Sequence, residues 1–521
     1  MTRHCLIIGH HAISGQLKEQ YESLGCAVRF GDSVADAGAI PEEVFLLADA
    51  DGSPAEADAH MLKDLERVAS HASPGTRPVV HMMLRDPLTL RVLLSAGLPK
   101  TVEDALEVYP FTQEDEWAKR VLIRLPGIRS DAYPALDRQP VGPDSRQRVH
   151  LVVIGFDAYA QALAIHAALI AHYPNYRPED EMPVRSRITF IDPAIRKRKE
   201  AFLADYRALF DNSYWRAVDR EKGVEQFHYP IYHGKRLEFT DVEWEFVNAG
   251  PEEALVRSRL EEWASDPGRQ LTIAVSTGDD NQNLRYSMNL PVCVRDRRVP
   301  VLVRQRNAAL ADRLAQSVKF GAILPFGMED MAPNVTLPLY ELAKMVHYFY
   351  TCSAGGGGLP TVFPLEAVEQ AWKSARTFKM RHSNICNVMH MTTKLHSLGH
   401  DAADLRSFYS LSEQEVETLA RTEHYRWCLD RLVSGTRPCT DPERDAIRLN
   451  LEDIASSRRA GREVPEDLKR KYKEEKDAHY DLCAFEELGM DAGGRDVKLY
   501  DYDLTACIPL IVKQFSDRFH G

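Results

Sequence analysis

The residues best suited to recognising a ligand lie near the carboxyl end of the chain. Residues 419–427 predict one helix, on which His424 and Trp427 stand three positions apart and therefore share a face. An indole face can stack on a nucleobase, which contributes about 1–3 kcal/mol per base. Guanidinium groups pair with phosphate, and carboxylate and imidazole groups hydrogen-bond to polar edges. The predicted ligand-binding residues are Arg421, Glu423, His424, Trp427, Arg437 and His479.

Packing in a hydrophobic core is the alternative interpretation of His424 and Trp427. A small helical domain buries such side chains once their N–H groups have partners. Arg426, on the same predicted helix, is a further candidate for binding phosphate. Ligand contact and core packing both stay open for this helix.

Two strand–glycine–helix junctions could bind nucleotide phosphates, because free N–H groups at a helix N-terminus point at the ligand. The first junction begins at Gly9 and runs through His11 and Ser14, and the second begins at Gly155. His11 and Asp157 occupy the position of the second glycine in the G-x-G-x-x-G fingerprint. A carboxylate there would repel a pyrophosphate, so the dinucleotide signal is weak, and purely structural turns are the alternative.

Acidic residues follow the second predicted strand of each unit. Asp32 and Asp192 stand where a carboxylate commonly binds a ribose hydroxyl. The loop 276–281 follows another predicted strand, where polar groups suit ribose or phosphate and a helix N-cap is the alternative. The predicted cofactor-binding residues are Gly9, His11, Ser14, Asp32, Gly155, Asp157, Asp192, Thr277 and Gly278.

Alternating strands and helices must position these turns. Such alternation predicts parallel sheets with helices on both faces. A stretch rich in Pro, Gly, Asp and Arg over 127–147 predicts a linker, after which 149–172 repeats the opening strand–glycine–helix pattern. We therefore predict an internal duplication of one nucleotide-binding unit, over 1–126 and 148–335.

Helical periodicity replaces this alternation beyond about residue 338. Apolar residues recur at i, i+3 and i+4, which predicts a helical connecting region over 336–410 and a terminal helical domain over 411–521. The highly charged segment from Asp441 to Lys476 predicts an exposed helical hairpin or insertion.

Two family resemblances follow from these motifs. On its two glycine turns and fold pattern, the chain resembles the TrkA-N domain of bacterial potassium-uptake regulators over residues 4–120 and again over 149–305. Residues 411–515 resemble the RyR domain, the repeat domain of ryanodine receptors. The family pattern L-A-x-x-x-H-x-x-W matches 419–427, and 476–488 resembles its second block, K-x-H-x-x-L-x-x-[YF]-x-x-L.

The resemblance implies an α/β chain with two Rossmann-like doubly wound parallel sheets, followed by an all-α RyR-type domain. It also implies a module that recognises nucleotides or their derivatives rather than a catalyst. The chain resembles bacterial proteins that join these two folds, and this resemblance implies a role in signalling or phage defence.

The composition excludes several classes of protein. With 65 basic against 77 acidic residues, the formal charge of −12 argues against a general nucleic-acid binder. None of the nine cysteines forms a C-x-x-C pair, which argues against a zinc ribbon or a thioredoxin-type site. The start does not resemble a signal peptide, and the longest apolar stretch carries polar residues. We expect a cytoplasmic chain without membrane insertion.

These observations together predict a non-enzymatic protein that senses a small nucleotide-like ligand at the RyR-type domain. An NAD(P)-dependent oxidoreductase, a regulatory subunit of an ion-transport system, and cleavage of a nucleotide by Glu423 or His424 stay open as alternatives. The cofactor is not identified, with NAD(P) or another adenine nucleotide as the candidates. Self-association and an ion-channel or defence-system partner also stay open.

Overall fold

A computed structural model shows an α/β fold with two separate sheets and a group of helices. Most of the chain is described, with short gaps in both sheets and in the helical region. The residues that the structure describes are 3–34, 39–48, 52–73, 75–126, 132–219, 223–230, 238–307, 313, 323–329, 336–355, 359–361, 364–401, 410–464 and 477–519.

The first sheet contains five strands, all parallel, in the order β2-β1-β3-β4-β5. Its strands are β1 (His4–Ile8), β2 (Ala27–Gly31), β3 (Glu43–Leu46), β4 (Val79–Leu84) and β5 (Glu107–Thr112). The accompanying helices are α1 (Ser14–Ser23), α2 (Pro54–His71), α3 (Pro87–Ala96), α4 (Lys100–Ala105) and α5 (Gln113–Leu122).

Alternation along β1 explains why both faces of this sheet are covered. Leu6 and Ile8 point into a core shared with α2, α3 and α4, whereas Cys5 and Ile7 point into a second core with α1. Helices on both faces confirm the predicted doubly wound arrangement. The strand order is the flavodoxin type rather than that of the dinucleotide fold.

The second sheet has eight strands in the order β13-β12-β11-β6-β7-β10-β8-β9. Its strands are β6 (Arg148–Ile154), β7 (Ser186–Ile191), β8 (Trp215–Asp219), β9 (Gly223–His228), β10 (Val242–Asn248), β11 (Arg269–Val275), β12 (Val301–Arg304) and β13 (Ile323–Phe326). Its helices are α6 (Ala158–Ile170), α7 (Ile195–Asp205), α8 (Arg207–Asp211), α9 (Ala254–Ser265), α10 (Asp280–Met288) and α11 (Val292–Asp296).

Two sequence predictions about this sheet were wrong. The sheet is mixed, because β9 pairs antiparallel with β8 at one edge. The internal duplication is limited to the opening strand–helix–strand unit. Beyond that unit the two sheets differ, because the first has the flavodoxin order, whereas the strands from β10 through β7, β6 and β11 to β13 follow the order of the dinucleotide fold. In the first sheet, β2 lies on one side of β1 and the next strand, β3, lies on the other side. In the second sheet, β7 and β10 both lie on one side of β6, and β11 is the first strand on the other side.

Helices α5 and α6 pack the two sheets against each other. Asp115 on α5 accepts a hydrogen bond from His166 on α6, with 2.5 Å between Oδ1 and Nε2. The Trp117 indole N–H donates to the carbonyl oxygen of Met328, just after β13, at 3.0 Å. The first contact is partly buried and the second is buried, so this side of the second sheet packs against the first.

The rest of the described chain is mainly helical. Its helices are α12 (Thr336–Ala354), α13 (Leu365–Trp372), α14 (Phe378–Met389), α15 (Met391–Ser397), α16 (Glu413–Val433), α17 (Asp441–Arg459), α18 (Lys498–Ala506) and α19 (Ile508–Phe519). Helix α17 begins the predicted charged insertion, of which residues 465–476 lie outside the described residues. Among the described helices, none combines the length and apolar character needed to cross a bilayer.

A small parallel ladder corrects the prediction of a purely helical terminal region. Strand β14 (Arg437–Pro438) pairs with β15 (Ala478–His479). The ladder brings the chain before α17 next to the chain that follows the undescribed residues 465–476. It therefore places His479 beside helix α16, where its ring lies 5.0 Å from that of Trp427.

Candidate functional site

A cavity of about 640 Å³ lies among α12, α14, α16, α18 and the β14–β15 ladder. Four of the six predicted ligand-binding residues line it: Glu423, His424, Trp427 and His479. Helix α16 contributes the first three of these residues. Its capping box, formed by Ser412 and Glu415, starts the helix about three turns before Glu423. The predicted helix face is therefore a cavity wall.

Trp427 forms an aromatic wall of this cavity and is partly buried. Its ring stacks on His424 at 5.8 Å between centroids and meets His479 edge-on at 5.0 Å. The guanidinium of Arg431, one helical turn further along α16, lies 5.6 Å from the centroid of the indole. Trp427 thus combines packing with access to the cavity, while its contact with a ligand stays a prediction.

A fully buried ion network forms the deep end of the cavity. The Glu423 carboxylate accepts from Arg426 at 2.7 Å and from the Asn387 amide at 2.7 Å, and it lies 2.6 Å from Lys394 Nζ. Burial by itself would raise the pKa of Glu423, but Arg426 and Lys394 hold this pKa well below its usual range. Glu423 is therefore an ionised carboxylate whose oxygens are already engaged.

Arg426 keeps one donor directed away from that network. Its Nη1 lies 4.0 Å from Asp430 Oδ2 and has no hydrogen-bond partner among the residues that the structure describes. The side chain is 1% exposed and lines the cavity. A buried guanidinium N–H without a partner is costly, so an acceptor in the cavity would stabilise it.

His424 faces an acceptor with each ring nitrogen. Nε2 lies 2.8 Å from the carbonyl oxygen of Cys483, and Nδ1 lies 3.3 Å from Asp501 Oδ2. Burial opposes protonation, but the Cys428 sulfur and the Asp501 carboxylate raise the pKa of His424 well above its usual value. Both ring nitrogens therefore face acceptors, and the raised pKa favours the imidazolium, which donates from both of them.

Of the three arginines predicted to bind phosphate, Arg426 lines the cavity, whereas Arg421 and Arg437 lie elsewhere. Arg421 pairs with Glu486 and lies over the Phe485 ring, and Arg437 donates to both oxygens of Glu443 at 2.8 and 2.9 Å. Neither side chain is among the residues that line the cavity. The structure does not bring them to Trp427.

Two other cations line the cavity instead, Lys379 on α14 and Arg431 on α16. Sequence reasoning missed both of them. Arg431 could have been found, because it stands four residues after Trp427 and thus on the same helix face. Lys379 could not, because its position beside Thr436 depends on how α14 packs against α16.

In the first glycine turn, side chains of the turn itself accept hydrogen bonds from its backbone N–H groups. Gly9 has φ +96°, and a Cβ there would lie 2.2 Å from the Leu47 carbonyl oxygen, so glycine is required by packing. The His11 side chain accepts from the backbone N–H of Ile13, and the backbone N–H of His11 donates to Ser14 Oγ at 3.1 Å. These groups satisfy one another locally.

Asp32 lies at the carboxyl end of β2, as predicted. Its side chain is 87% exposed, and it pairs with His10 at 3.2 Å. This acid therefore sits at the edge of the first sheet near the first glycine turn, outside the cavity beside Trp427.

The second glycine turn carries an ion pair where a pyrophosphate would need space. Gly155 has φ +106°, and a Cβ there would lie 1.9 Å from the Ser276 carbonyl oxygen. Asp157 caps α6 by accepting from the Ala160 N–H at 2.9 Å, and it accepts from Ser276 Oγ at 2.7 Å. Arg304 donates to its other oxygen at 2.9 Å.

The remaining predicted cofactor residues support loops of the second sheet. Asp192 accepts from the Ala194 N–H at 2.7 Å, ahead of α7. Thr277 donates from both its N–H and its hydroxyl to Asn283 Oδ1, and Gly278 turns the chain with φ +88°. These residues lie at the carboxyl edge of the sheet, as predicted, but their polar groups are used within the protein.

No protein-family model and no curated protein matches this chain. Among solved structures, it aligns with GsuK bound to ADP at 13% identity and a TM-score of 0.26, covering 62% of this chain and 66% of that one. The GsuK channel bound to NAD aligns at 13% identity and a TM-score of 0.25, covering 62% and 61%. In both cases the chain spans less than two thirds of the channel protein.

NtrX from Brucella abortus aligns at 11% identity with a TM-score of 0.15, covering 84% of this chain and 94% of that one. TM-scores of this size support no inference about fold or ligand.

Proposed function

We propose that this protein binds a small nucleotide-derived ligand in the cavity lined by Trp427, and that residues 411–515 form an RyR-type recognition module. The observation that carries the proposal is the partly exposed indole of Trp427 on the wall of a 640 Å³ cavity beside cationic side chains. A cavity of this volume is in the range that small-molecule ligands occupy.

The aromatic walls favour a flat heterocycle. Trp427, Tyr350 and Tyr500 line the cavity from three different helices. Stacking of a base on an aromatic side chain contributes about 1–3 kcal/mol, and the contact depends little on which base is bound. The amides of Asn384 and Asn387 also line the cavity and supply hydrogen-bonding groups for the edge of a base.

The charges of the lining residues favour a ligand with few phosphates. Lys379, Arg426 and Arg431 supply positive charge for a phosphate group. Asp477, Asp481 and Asp491 also line the cavity, and carboxylates suit the hydroxyls of a ribose. Because acidic and basic groups are mixed, a nucleoside monophosphate or a dinucleotide fits better than a triphosphate.

Binding fits these side chains better than cleavage of the ligand. A general acid or base must be able to exchange a proton with the substrate. Glu423 is fixed by Arg426 and Lys394, and His424 donates both of its protons within the protein. Neither group is available in the form that hydrolysis would need.

Arg304 and Asp157 also argue against the dinucleotide-dependent oxidoreductase. Their ion pair joins the carboxyl ends of β6 and β12 across the end of β11, beside the switch point between β6 and β11 at which such enzymes bind the pyrophosphate. Self-association and an ion-channel or defence-system partner remain predictions.

Calorimetry with purified protein and a panel of AMP, ADP, NAD and ATP tests the proposal. At least one of the first three should bind, and Trp427→Ala should weaken that binding by about 5- to 150-fold, the equivalent of one lost stacking contact. Arg431→Met should weaken the binding of a phosphorylated ligand relative to its nucleoside.

Arg421→Met is the matched control, because Arg421 lies on the same helix outside the cavity. It should leave the affinity unchanged. Absence of binding by every member of the panel, or equal losses in the Arg431 and Arg421 variants, would count against the proposal.

A further inference from the structure

Three side chains of different metal-binding types converge between α14 and α16. His382 and Cys386 stand one helical turn apart on α14, and Asp430 reaches them from α16. His382 Nδ1 lies 3.5 Å from Cys386 Sγ and 3.4 Å from Asp430 Oδ1. The three candidate ligand atoms all lie within 4.8 Å of one another.

These separations match the edges of a tetrahedral zinc site. With Zn–N and Zn–O distances of about 2.0–2.1 Å and a Zn–S distance of about 2.3 Å, tetrahedral angles place nitrogen about 3.6 Å from sulfur and about 3.3 Å from oxygen. The observed 3.5 and 3.4 Å agree with both values. The third separation, between Cys386 and Asp430, is no more than 4.8 Å, so a single ion would contact all three groups once these two side chains had adjusted to it.

We propose that His382, Cys386 and Asp430 bind a Zn²⁺ ion. The donor set of imidazole, thiolate and carboxylate is one that zinc prefers. The charges of a thiolate and a carboxylate balance those of the ion, so the occupied site is neutral. Three protein ligands leave the fourth tetrahedral position for water or another small ligand.

The two carboxylate oxygens of Asp430 have different neighbours. Oδ1 faces His382, whereas Oδ2 accepts from Ser383 Oγ at 3.0 Å and lies 3.9 Å from Arg431 Nη2. A metal-bound carboxylate is commonly oriented in this way, with hydrogen bonds to the oxygen that does not bind the ion. Ser383 and Arg431 also line the cavity, so this site adjoins the proposed ligand pocket.

A second trio of the same residue types shows that composition alone does not make such a site. Cys428 lies 3.4 Å from Nε2 of His424, whereas Asp501 lies 3.3 Å from Nδ1 of the same ring. The thiol and the carboxylate therefore contact opposite nitrogens, with the imidazole between them. No single ion can contact all three, so Cys428 is a matched control.

Cobalt titration of the full chain tests the proposal. Protein dialysed against a chelator and then supplied with Co²⁺ should bind one ion per chain, with visible bands typical of tetrahedral cobalt and a thiolate charge-transfer band in the near ultraviolet. Addition of Zn²⁺ should abolish both signals. In Cys386→Ser the charge-transfer band should disappear, whereas Cys428→Ser should retain it.

His382→Ala gives a second measurement at a partly exposed position, independent of whether the variant at buried Cys386 folds. It should weaken cobalt binding by more than the roughly 10- to 100-fold typical of a residue outside the ligand set. Failure of the wild-type protein to give the cobalt spectrum, or equal loss of the band in the Cys386 and Cys428 variants, would overturn the assignment.

Discussion

Arg304 and Asp157 form an ion pair, with 2.9 Å between Nη1 and Oδ2, although 147 residues separate them in the sequence. Both side chains are largely buried, and Arg304 also lies over the Tyr159 ring at 4.0 Å. The aspartate that replaces a fingerprint glycine is therefore part of the packing between β6, α6 and β12.

Replacement of Asp157 by Ala should be strongly destabilising. The variant loses a helix cap, which costs about 1 kcal/mol, and leaves the largely buried Arg304 without its partner, which raises the total to about 3 kcal/mol or more. Asp279→Ala removes an exposed cap of α10 and should cost about 1 kcal/mol. Urea denaturation measures both, and equal losses would contradict the structural role of the Arg304 pair.

Gly155→Ala should lower the stability of the second sheet by far more than the backbone conformation of Gly155 alone explains. The new Cβ would lie 1.9 Å from the Ser276 carbonyl oxygen, so strands must move apart. Gly25→Ala is the control, because Gly25 has φ +78° and nothing within 4 Å of the added Cβ. We expect a loss of about 1–2 kcal/mol for Gly25 and a larger one for Gly155, measured as urea midpoints. A similar loss in both would show that the contact is easily relieved.

Lys394→Met tests the buried network around Glu423. Because Glu423 keeps Arg426 but loses one of two cations, we expect the free energy of unfolding to fall by about 3 kcal/mol. Arg421→Met breaks a more exposed pair with Glu486 and should cost no more than about 1 kcal/mol. Urea denaturation of the two variants measures both losses. A smaller loss of unfolding free energy for Lys394→Met than for Arg421→Met would show that the network does not stabilise the fold.

His347 should make the protein less stable in mild acid. Its Nε2 donates to Ser374 Oγ, whose own proton goes to the Ala371 carbonyl oxygen, and its Nδ1 accepts from Asn384. Burial lowers the pKa of His347 from 6.5 to about 4, and the hydrogen bond that Nδ1 accepts from Asn384 also needs the neutral ring.

The unfolded chain therefore binds this proton more readily than the folded one. The contribution of His347 is complete above pH 6.5 and is lost as the pH falls toward 4, by up to about 3 kcal/mol. In His347→Gln, the stability measured between these pH values should fall less steeply than in the wild type. An unchanged pH profile would mean that His347 does not carry this effect.

Local sequence signals identified the elements that open each sheet. The positive φ angles of Gly9 and Gly155 confirm both predicted turns, since each strand needs a residue without a side chain at that point. Strand order could not be read in the same way. The position of β10 beside β7 depends on contacts between distant segments, and no periodicity within β10 encodes it.

The residues that line the cavity also fall into two groups, those that local sequence spacing identified and those that depend on tertiary packing. The spacing of His424 and Trp427 placed them on one face of α16, and both line the cavity. The assignment of Arg421 to the same site did not hold, because the helix turns its side chain toward Glu486. Lys379 comes from a different helix, so its presence depends on tertiary packing.

The contact of Asp115 with His166, together with that of Trp117 with Met328, clamps one sheet onto the other. Hinged dinucleotide enzymes close by swinging two lobes about a cleft, which requires lobes that separate readily. Here separation would expose an aromatic ring and remove His166 from the partly buried Asp115 carboxylate, which would keep its pair with Lys119. If the cavity binds a ligand as proposed, we expect the structural response among the helices that line it, α12, α14, α16 and α18, rather than between the two sheets.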